Sequence, residues 1–573
     1  MLVSDYLLNP IIDLQTGVNA GQGGMTDAMP FLLPLIAALV ISMAIIPFMI
    51  RLAPVLGMID KPDPRKVHAV PIPRVGGVGI VIGALLPLVL LLPLDNSLAS
   101  FLLGACVLLI FGAWDDSHEL GHYVKFLGQF IAVLAVVYYG DVFVTRLPFM
   151  GGELVPEYIG RPFTVFAMIG MINAINHSDG LDGLAGGESL MSLACIAWLA
   201  YSAGGMTATI IALATIGGLF GFLRFNTHPA RIFMGDGGSQ FLGFTLGYLA
   251  VVLTQEVNTA MSPALPVLIL GLPIADIIAV LIQRIYHRMN WFRATRNHIH
   301  HRLLDLGFQH YESVLVVYTL QALLVMSALA MPYESDFLII GIYVAVVLSI
   351  FLFLYISERR GWQLHSQDET AALNGAIDLA KKGILLRALP YAVVMYGTSL
   401  FLLAGSLISV EIPRDYTVIA IIISVLMTLR LILGFRVWFI SLRLMVYVTI
   451  AFMVYLLNSY QPVYLSGVDP VTYVYFGVLV AAIALTLRFT NGGNFDVTPM
   501  DYLVMLAILA LVLSSSVGAI DTRITAMALK GVILFYAGEM ILKNMKRRWN
   551  VFTVSVLVSL VIVGVRGVMG NYL

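Results

Sequence analysis

The chain has 573 residues, 60% of them hydrophobic and only 11% charged, with a mean hydropathy of +0.93. A soluble globular domain carries about a quarter charged residues, so the composition excludes that class and predicts an all-α polytopic membrane protein. The formal net charge of −1 gives no reason to expect nucleic acid or another acidic partner, and local charge carries the information instead.

From the N-terminus, Met1 to Ala28 holds acidic residues and no basic stretch. This predicts that the first apolar run is a retained span rather than a cleaved signal. Runs of about 20 mostly apolar residues can cross a bilayer. Spans are predicted near 30–52, 77–94, 98–114, 125–140, 161–175, 188–203, 207–224, 239–254, 264–284, 312–332 and 336–356. A second group is predicted near 387–410, 416–433, 437–458, 471–488, 500–516, 524–542 and 551–569, giving about eighteen in all. The organisation read from this is a core over 1–356, a polar linker over 357–386 with a short interfacial helix near 367–382, and a C-terminal membrane extension over 387–573. The two cysteines, Cys106 and Cys195, lie in apolar segments, where a thiol behaves as a small hydrophobe. They supply neither a disulfide framework nor a metal site.

Lys and Arg set the orientation, because short cytoplasmic loops collect them. The loop after the first span carries Arg51, Lys61, Arg65, Lys66 and Arg74. Basic residues recur after the ninth span (Arg284 to Arg302) and the eleventh (Arg359 to Arg387), whereas loops such as 94–97 and 332–336 have none. Odd-numbered loops are therefore predicted to be cytoplasmic, with the N-terminus outside.

This topology puts four motifs on one face. Asp115-Asp116 ends the third span and Lys125 opens the fourth. Adjacent carboxylates at a membrane boundary call for a cation or a shared proton, unless they are simply a solvated helix end. In the run from Asn173 to Gly183, Asn173 and Asn176 share a helix face, and Asp179 and Asp182 repeat the spacing among glycines. Such groups read a ribose or uracil edge or ligate a metal, and they have no reason to sit at a bilayer boundary unless they line a cavity. Gly235-Asp236-Gly237-Gly238-Ser239 is an acidic turn at a helix start, suited either to phosphate and metal or to capping. His298, His300, His301 and Arg302 follow in a basic loop. Zinc ligation there lacks an obvious third or fourth ligand, and diphosphate binding suits the guanidinium fork better. The proline-braced loop from Asp60 to Gly77 suits either an anionic lipid phosphate or a simple topology signal and turn. Asp276, inside the ninth span beside Pro273, is either functional or a hydrogen-bonding partner at the proline break.

Taken together and in this order, the motifs resemble those of the polyprenyl-phosphate N-acetylhexosamine-1-phosphate transferases, glycosyltransferase family 4. The likeness runs from about residue 30 to 356. The loop from Arg296 to Gly307 is similar to the branch that acts on undecaprenyl phosphate and GlcNAc; Thr295 departs from it where that branch often has aspartate. The resemblance implies an eleven-span core and transfer of N-acetylhexosamine 1-phosphate from a UDP-N-acetylhexosamine, most readily UDP-GlcNAc, to a polyprenyl phosphate. UMP would be released, and the product would initiate a cell-envelope polysaccharide. It further implies Mg²⁺, with Mn²⁺ able to substitute, and the bacterial inner membrane with the active site on its cytoplasmic face. Asp236 and Asn176 would ligate the metal, and Asn173, Asp179, Asp182 and Gly183 would hold the nucleotide sugar. Asp115, Asp116, Lys125, His298, His300, His301 and Arg302 would serve the reacting phosphates. The extension has no counterpart in this family pattern; partner binding, lipid guidance and a homodimer contact all remain open for it. A multi-span flippase or transporter is the alternative, but it would place ionisable groups near the midplane on broken helices.

Overall fold

A computed structural model describes residues 25–62, 70–289, 297–364, 384–409, 412–433, 439–459, 469–489, 504, 522–544 and 550–570. Contacts between residues divide the chain into two compact units, the first running to Leu364.

The first unit contains helices α1 (Met25–Leu56), α2 (Gly76–Leu91), α3 (Asn96–His118), α4 (His122–Leu134), α5 (Glu157–Ser178), α6 (Leu184–Ser202), α7 (Met206–Asn226) and α8 (Gly235–Val252). These are followed by α9 (Pro266–Ile269), α10 (Gly271–Tyr286), α11 (Ile299–Asp305), α12 (His310–Ala330) and α13 (Asp336–Arg359). A two-residue antiparallel pair, β1 (Ile59–Asp60) and β2 (Ile72–Pro73), joins α1 to α2. It is the one departure from an all-α reading among the described residues.

Helix α8 is the axis of this unit. Every residue from Gly237 to Val252 is buried, as expected for a helix surrounded on all sides by protein. It packs on α3 and α5, with α2 and α6 also in contact. Small residues make the approach possible, as in other membrane helix pairs. A Cβ on Gly112 of α3 would strike the backbone of Gly237, and one on Gly77 of α2 would strike Gly238. Helices α1, α2 and α7 form a second mutually packed group.

The span expected near 264–284 is two helices, α9 and α10, with a break at Leu270. Pro273 has no N–H to give to the carbonyl four residues earlier, and that carbonyl belongs to Ile269. Other helices satisfy it, with Ser192 Oγ and Gln321 Nε2 each donating to Ile269 O at 2.8 Å. The N–H of Leu272 donates to Gln321 Oε1 at 3.1 Å, and the Tyr343 hydroxyl donates to Gly271 O at 3.0 Å. Backbone freed inside a bilayer is tolerated only when it is re-bonded in this way.

The second unit contains α14 (Ile384–Ile408), α15 (Arg414–Leu433), α16 (Phe439–Ser459), α17 (Asp469–Phe489), α18 (Thr522–Lys543) and α19 (Val551–Gly570). Its core joins Leu402, Met427, Val446, Leu534 and Phe552. Arg566 of α19 donates to the carbonyls of Ser406, Leu407 and Ser409 at 2.7 to 2.8 Å, closing the C-terminal end of α14. Among the described residues no metal-ligating cluster falls in this unit.

Twelve described helices are long and apolar enough to cross a membrane, and the chain is a multi-pass membrane protein; four more helices are apolar but shorter. This is fewer than the eighteen spans expected. Some segments, such as that near 77–94, form shorter helices, and the expected span near 500–516 and interfacial helix near 367–382 fall outside the described residues.

Gly112→Ala is expected to destabilise the α3–α8 contact by on the order of 1–3 kcal/mol and to lower the melting temperature in detergent. The control is Gly341→Ala on α13, where a Cβ meets nothing within 4 Å. Equal melting of the two variants would contradict the close packing.

Candidate active site

The C-terminal ends of α3, α5 and α7, the N-terminal ends of α4, α8 and α12, and the β1–β2 pair meet at one end of the first unit and line a cavity of about 760 Å³. These helices are antiparallel neighbours, so motifs far apart in sequence arrive on the same side.

The start of α8 organises the cavity. Gly235 has φ +72°, a conformation that glycine adopts without strain, and a Cβ there would run into the Asp116 carboxylate. Asp116 accepts the N–H of Asp236 at 3.0 Å and that of Gly237 at 3.4 Å. The anion at this helix N-terminus is therefore the protein's own, capping donors that a helix start leaves unpaired. The Asp236 side chain is left to face Lys125, whose Nζ lies 2.8 Å from Asp236 Oδ2 and 2.6 Å from Asp115 Oδ2. Asn176 Nδ2 donates to the other oxygen of Asp236 at 3.0 Å and to Ser239 Oγ at 2.9 Å. Asp115 Oδ1 accepts the N–H of Leu120 at 2.6 Å.

Two carboxylates, Asp115 and Asp236, thus share one ammonium, with a third, Asp116, held against the start of α8 beside them. The other cation on this side of the cavity, Arg74, is paired with Asp60 of β1. A set of carboxylate and amide groups with an excess of negative charge matches the hard-oxygen preference of Mg²⁺.

The other side of the cavity is the turn between α5 and α6. Asp179, Gly180, Leu181 and Asp182 line it, with Asn226, His228, His301 and His310. Asp182 Oδ2 lies 2.7 Å from His228 Nδ1 and accepts the N–H of Ala230 at 3.1 Å. The Asp179 carboxyl is pushed up to about 7, first by burial and then by the charges of Asp236 and Asp182.

Several residues expected to touch substrate do not line the cavity. Asn173 Nδ2 donates to Gln129 Oε1 at 2.9 Å and to Ile169 O at 2.8 Å, tying α5 to α4. Gly183 shapes the turn before α6 with φ +80°. Its N–H donates to Asn226 Oδ1 at 2.9 Å and its carbonyl accepts the Tyr318 hydroxyl at 2.6 Å. His298 is 6% exposed, with Nδ1 2.6 Å from Asp276 Oδ2, while Ile299 N–H donates to the second oxygen of that carboxylate at 2.8 Å. Asp276 therefore anchors the start of α11. His300 is 3% exposed and packs against Gly180; burial, then the neighbouring His301, pushes its imidazole down to about 3, so it is neutral. Arg302 forms a two-pronged pair with Glu358 at 2.7 and 2.9 Å. Of the four basic-loop residues, His301 alone lines the cavity among the described residues. These buried placements have a common cause. The short helix α11 and its N-cap carry four basic residues within five positions; only one face turns to the cavity, and the remainder must find partners inside the protein.

Two cavity residues, His228 and His310, went unnoticed in the sequence. The available signal was a histidine in the polar turn that precedes Gly235, and another nine residues beyond His301.

Residues 98–254 match the family described as Glycosyl transferase family 4. Over 326 residues the chain is 34% identical to the probable undecaprenyl-phosphate N-acetylglucosaminyl 1-phosphate transferase of Bacillus subtilis (strain 168), covering 56% of this chain and 89% of that protein. The chain belongs to glycosyl transferase family 4. It is also 28% identical over 320 residues to the undecaprenyl-phosphate alpha-N-acetylglucosaminyl 1-phosphate transferase of Escherichia coli (strain K12), covering 55% of this chain and 87% of that one. The stretch matched to glycosyl transferase family 4 contains Asp115, Asp116, Lys125, the Asn173–Gly183 run and Asp236, whereas the histidine loop lies beyond it.

Asp179 provides a pH test. Its folded pKa lies above the ordinary carboxyl value, so the native state holds the proton more tightly than the unfolded state and stability falls as pH rises from about 4 to about 7. In chelator, the melting temperature of Asp179→Asn relative to wild type should rise over that interval and level off above it. A constant difference from pH 5 to 8 would refute the shift.

Proposed function

We propose that this chain transfers N-acetylglucosamine 1-phosphate from UDP-GlcNAc to undecaprenyl phosphate. The observation that carries the reading is the convergence of Asp115 and Asp236 on Lys125, with Asp116 holding the start of α8 beside them, at one end of a membrane bundle. It is supported by 34% identity to a relative named for that activity. A nucleotide sugar arrives from water and the acceptor from lipid, so a site at one end of the helices is accessible to both. The Lys/Arg pattern supports the cytoplasmic face of a bacterial inner membrane.

A phosphate oxygen of the lipid attacks the sugar-bearing phosphorus of UDP-GlcNAc. The bond from that phosphorus to the bridging oxygen breaks, UMP leaves with the electron pair, and a lipid-diphospho-GlcNAc remains. Two anionic phosphates must approach each other, and preorganised positive charge supplies most of the help in such a step. Lys125 is held by two carboxylates in the position to give that charge. Asp236 and Asp115, with Asn176 orienting Asp236, would hold Mg²⁺ or Mn²⁺. Bound there, the ion would act as a Lewis acid, neutralising charge on the diphosphate. Asp116 is a positioning residue, since both its oxygens are engaged by the backbone of α8. Asp115, which lines the cavity beside Lys125, is the carboxylate assigned to take a proton from the lipid phosphate. Asp179 and Asp182 supply hydrogen-bond acceptors to ribose or uracil, and His301 faces the diphosphate. The prenyl chain would extend from the cavity into the lipid beside the spans.

Purified protein given labelled UDP-GlcNAc, undecaprenyl phosphate and Mg²⁺ should yield UMP and a glycolipid, and a chelator should abolish the yield. Asp236→Ala is expected to lower kcat by about 10²- to 10³-fold. Full activity in Asp236→Ala, or no UMP from any UDP-N-acetylhexosamine, would reject the assignment.

A further inference from the structure

Asp182, His228 and His310 form a cluster that the proposed transfer does not fully use. Each comes from a different element: the turn between α5 and α6, the turn after α7, and the first residue of α12. One ligand atom from each lies within 4.8 Å of the other two. The imidazoles of His228 and His310 stack at 4.3 Å between ring centres, 25° apart. Asp182 is fixed by the N–H of Ala230. Both ring nitrogens of His310 are buried and lack a hydrogen-bond partner of normal geometry, a costly state for a polar group inside a protein that a coordinated ion would partly relieve.

We propose that these three side chains bind one borderline-soft divalent metal ion of the Zn²⁺ class on the wall of the cavity, separate from the carboxylates around Lys125. Two imidazoles and one carboxylate make a three-ligand set with an open fourth position. The nitrogen donors favour Zn²⁺, Co²⁺ or Cu²⁺ over Mg²⁺, which prefers oxygen. With metal–ligand distances of about 2.0–2.1 Å, tetrahedral donors stand roughly 3.4 Å apart. The Asp182–His228 pair, at 2.7 Å, must therefore open slightly, and the remaining donors, all within 4.8 Å of one another, must close by about 1.4 Å at most. The His228 side chain is 46% exposed, so the ion has an entrance from solvent. The same cavity presents Asp182 to the nucleotide in the proposed reaction, so an ion here competes with the UDP-sugar. That consequence rests on the proposed reaction; the binding itself does not.

The probe is Co²⁺, whose visible absorption reports tetrahedral coordination by nitrogen and oxygen. It is titrated into chelator-stripped full-length protein in excess Mg²⁺ and then displaced with Zn²⁺. The expected result is one Co²⁺ per chain, displaced by Zn²⁺, with affinity reduced about tenfold or more in His228→Asn and in His310→Ala and retained in His301→Ala. His228 is exposed, so its replacement tests the site without disturbing the core. An unchanged signal in His228→Asn, or a signal lost only in His301→Ala, overturns the site. Calorimetry of UDP-GlcNAc binding then separates the two ideas. Zn²⁺ should weaken binding to wild type and leave His310→Ala unaffected. If the Co²⁺ signal follows the cluster but the nucleotide ignores Zn²⁺, the metal site stands and the placement of nucleotide at Asp182 falls.

Discussion

The carboxylate of Asp116 accepts the first backbone N–H groups of α8, and the geometry of the cavity depends on that interaction. It fixes the end of the most deeply buried helix in the unit against α3. It also directs the Asp236 side chain towards Lys125 and Asn176. Glycine at 235 is the sterically acceptable residue, because any side chain would meet the Asp116 carboxylate. The same carboxylate therefore sets a backbone turn, a helix contact and the orientation of the central acid. Replacing it by alanine would leave two N–H groups without this partner, a cost of about 1–3 kcal/mol for each.

Around that point the protein gathers more negative charge than its own cations balance. Such crowding is costly at a membrane boundary, and stability alone would not favour it. Asp115, Asp116, Asp236 and Lys125 lie on the wall formed by α3, α4 and α8; the opposite wall, from the α5–α6 turn and the histidines, adds Asp179 and Asp182 and is rich in hydrogen-bonding groups. A substrate carrying phosphates at one end and a nucleoside at the other fits this division.

Much of this was legible in sequence, for identifiable reasons. The long apolar runs marked the helices because a bilayer admits few other solutions. The acidic motifs drew notice because charge is rare in such runs, and Asp115, Asp116, Lys125, Asn176 and Asp236 do meet. What sequence did not reveal was which way each side chain turns. Asn173 and Asn176 lie three residues apart on one face of α5, yet one binds Gln129 of α4 and the other binds Asp236. His298, His300 and Arg302 looked like phosphate ligands by residue type, but their partners Asp276, Gly180 and Glu358 are distant in sequence. His228 and His310 stand outside the four motifs and became meaningful only once α7 and α12 brought them together. The break at Leu270 was foreshadowed by Pro273, but its repair by Gln321 and Ser192 needed the tertiary structure.

The complete burial of α8 also bears on how the chain is made. Its face includes Ser239, Gln240 and Thr245 along with glycines, a poor composition for entering lipid unaided. The helices that pack on it most closely, α2, α3, α5 and α6, all precede it in the chain. When α8 leaves the ribosome, the protein walls that receive it have already been synthesised. It can pass from the translocon into a prepared slot without first residing in the lipid phase.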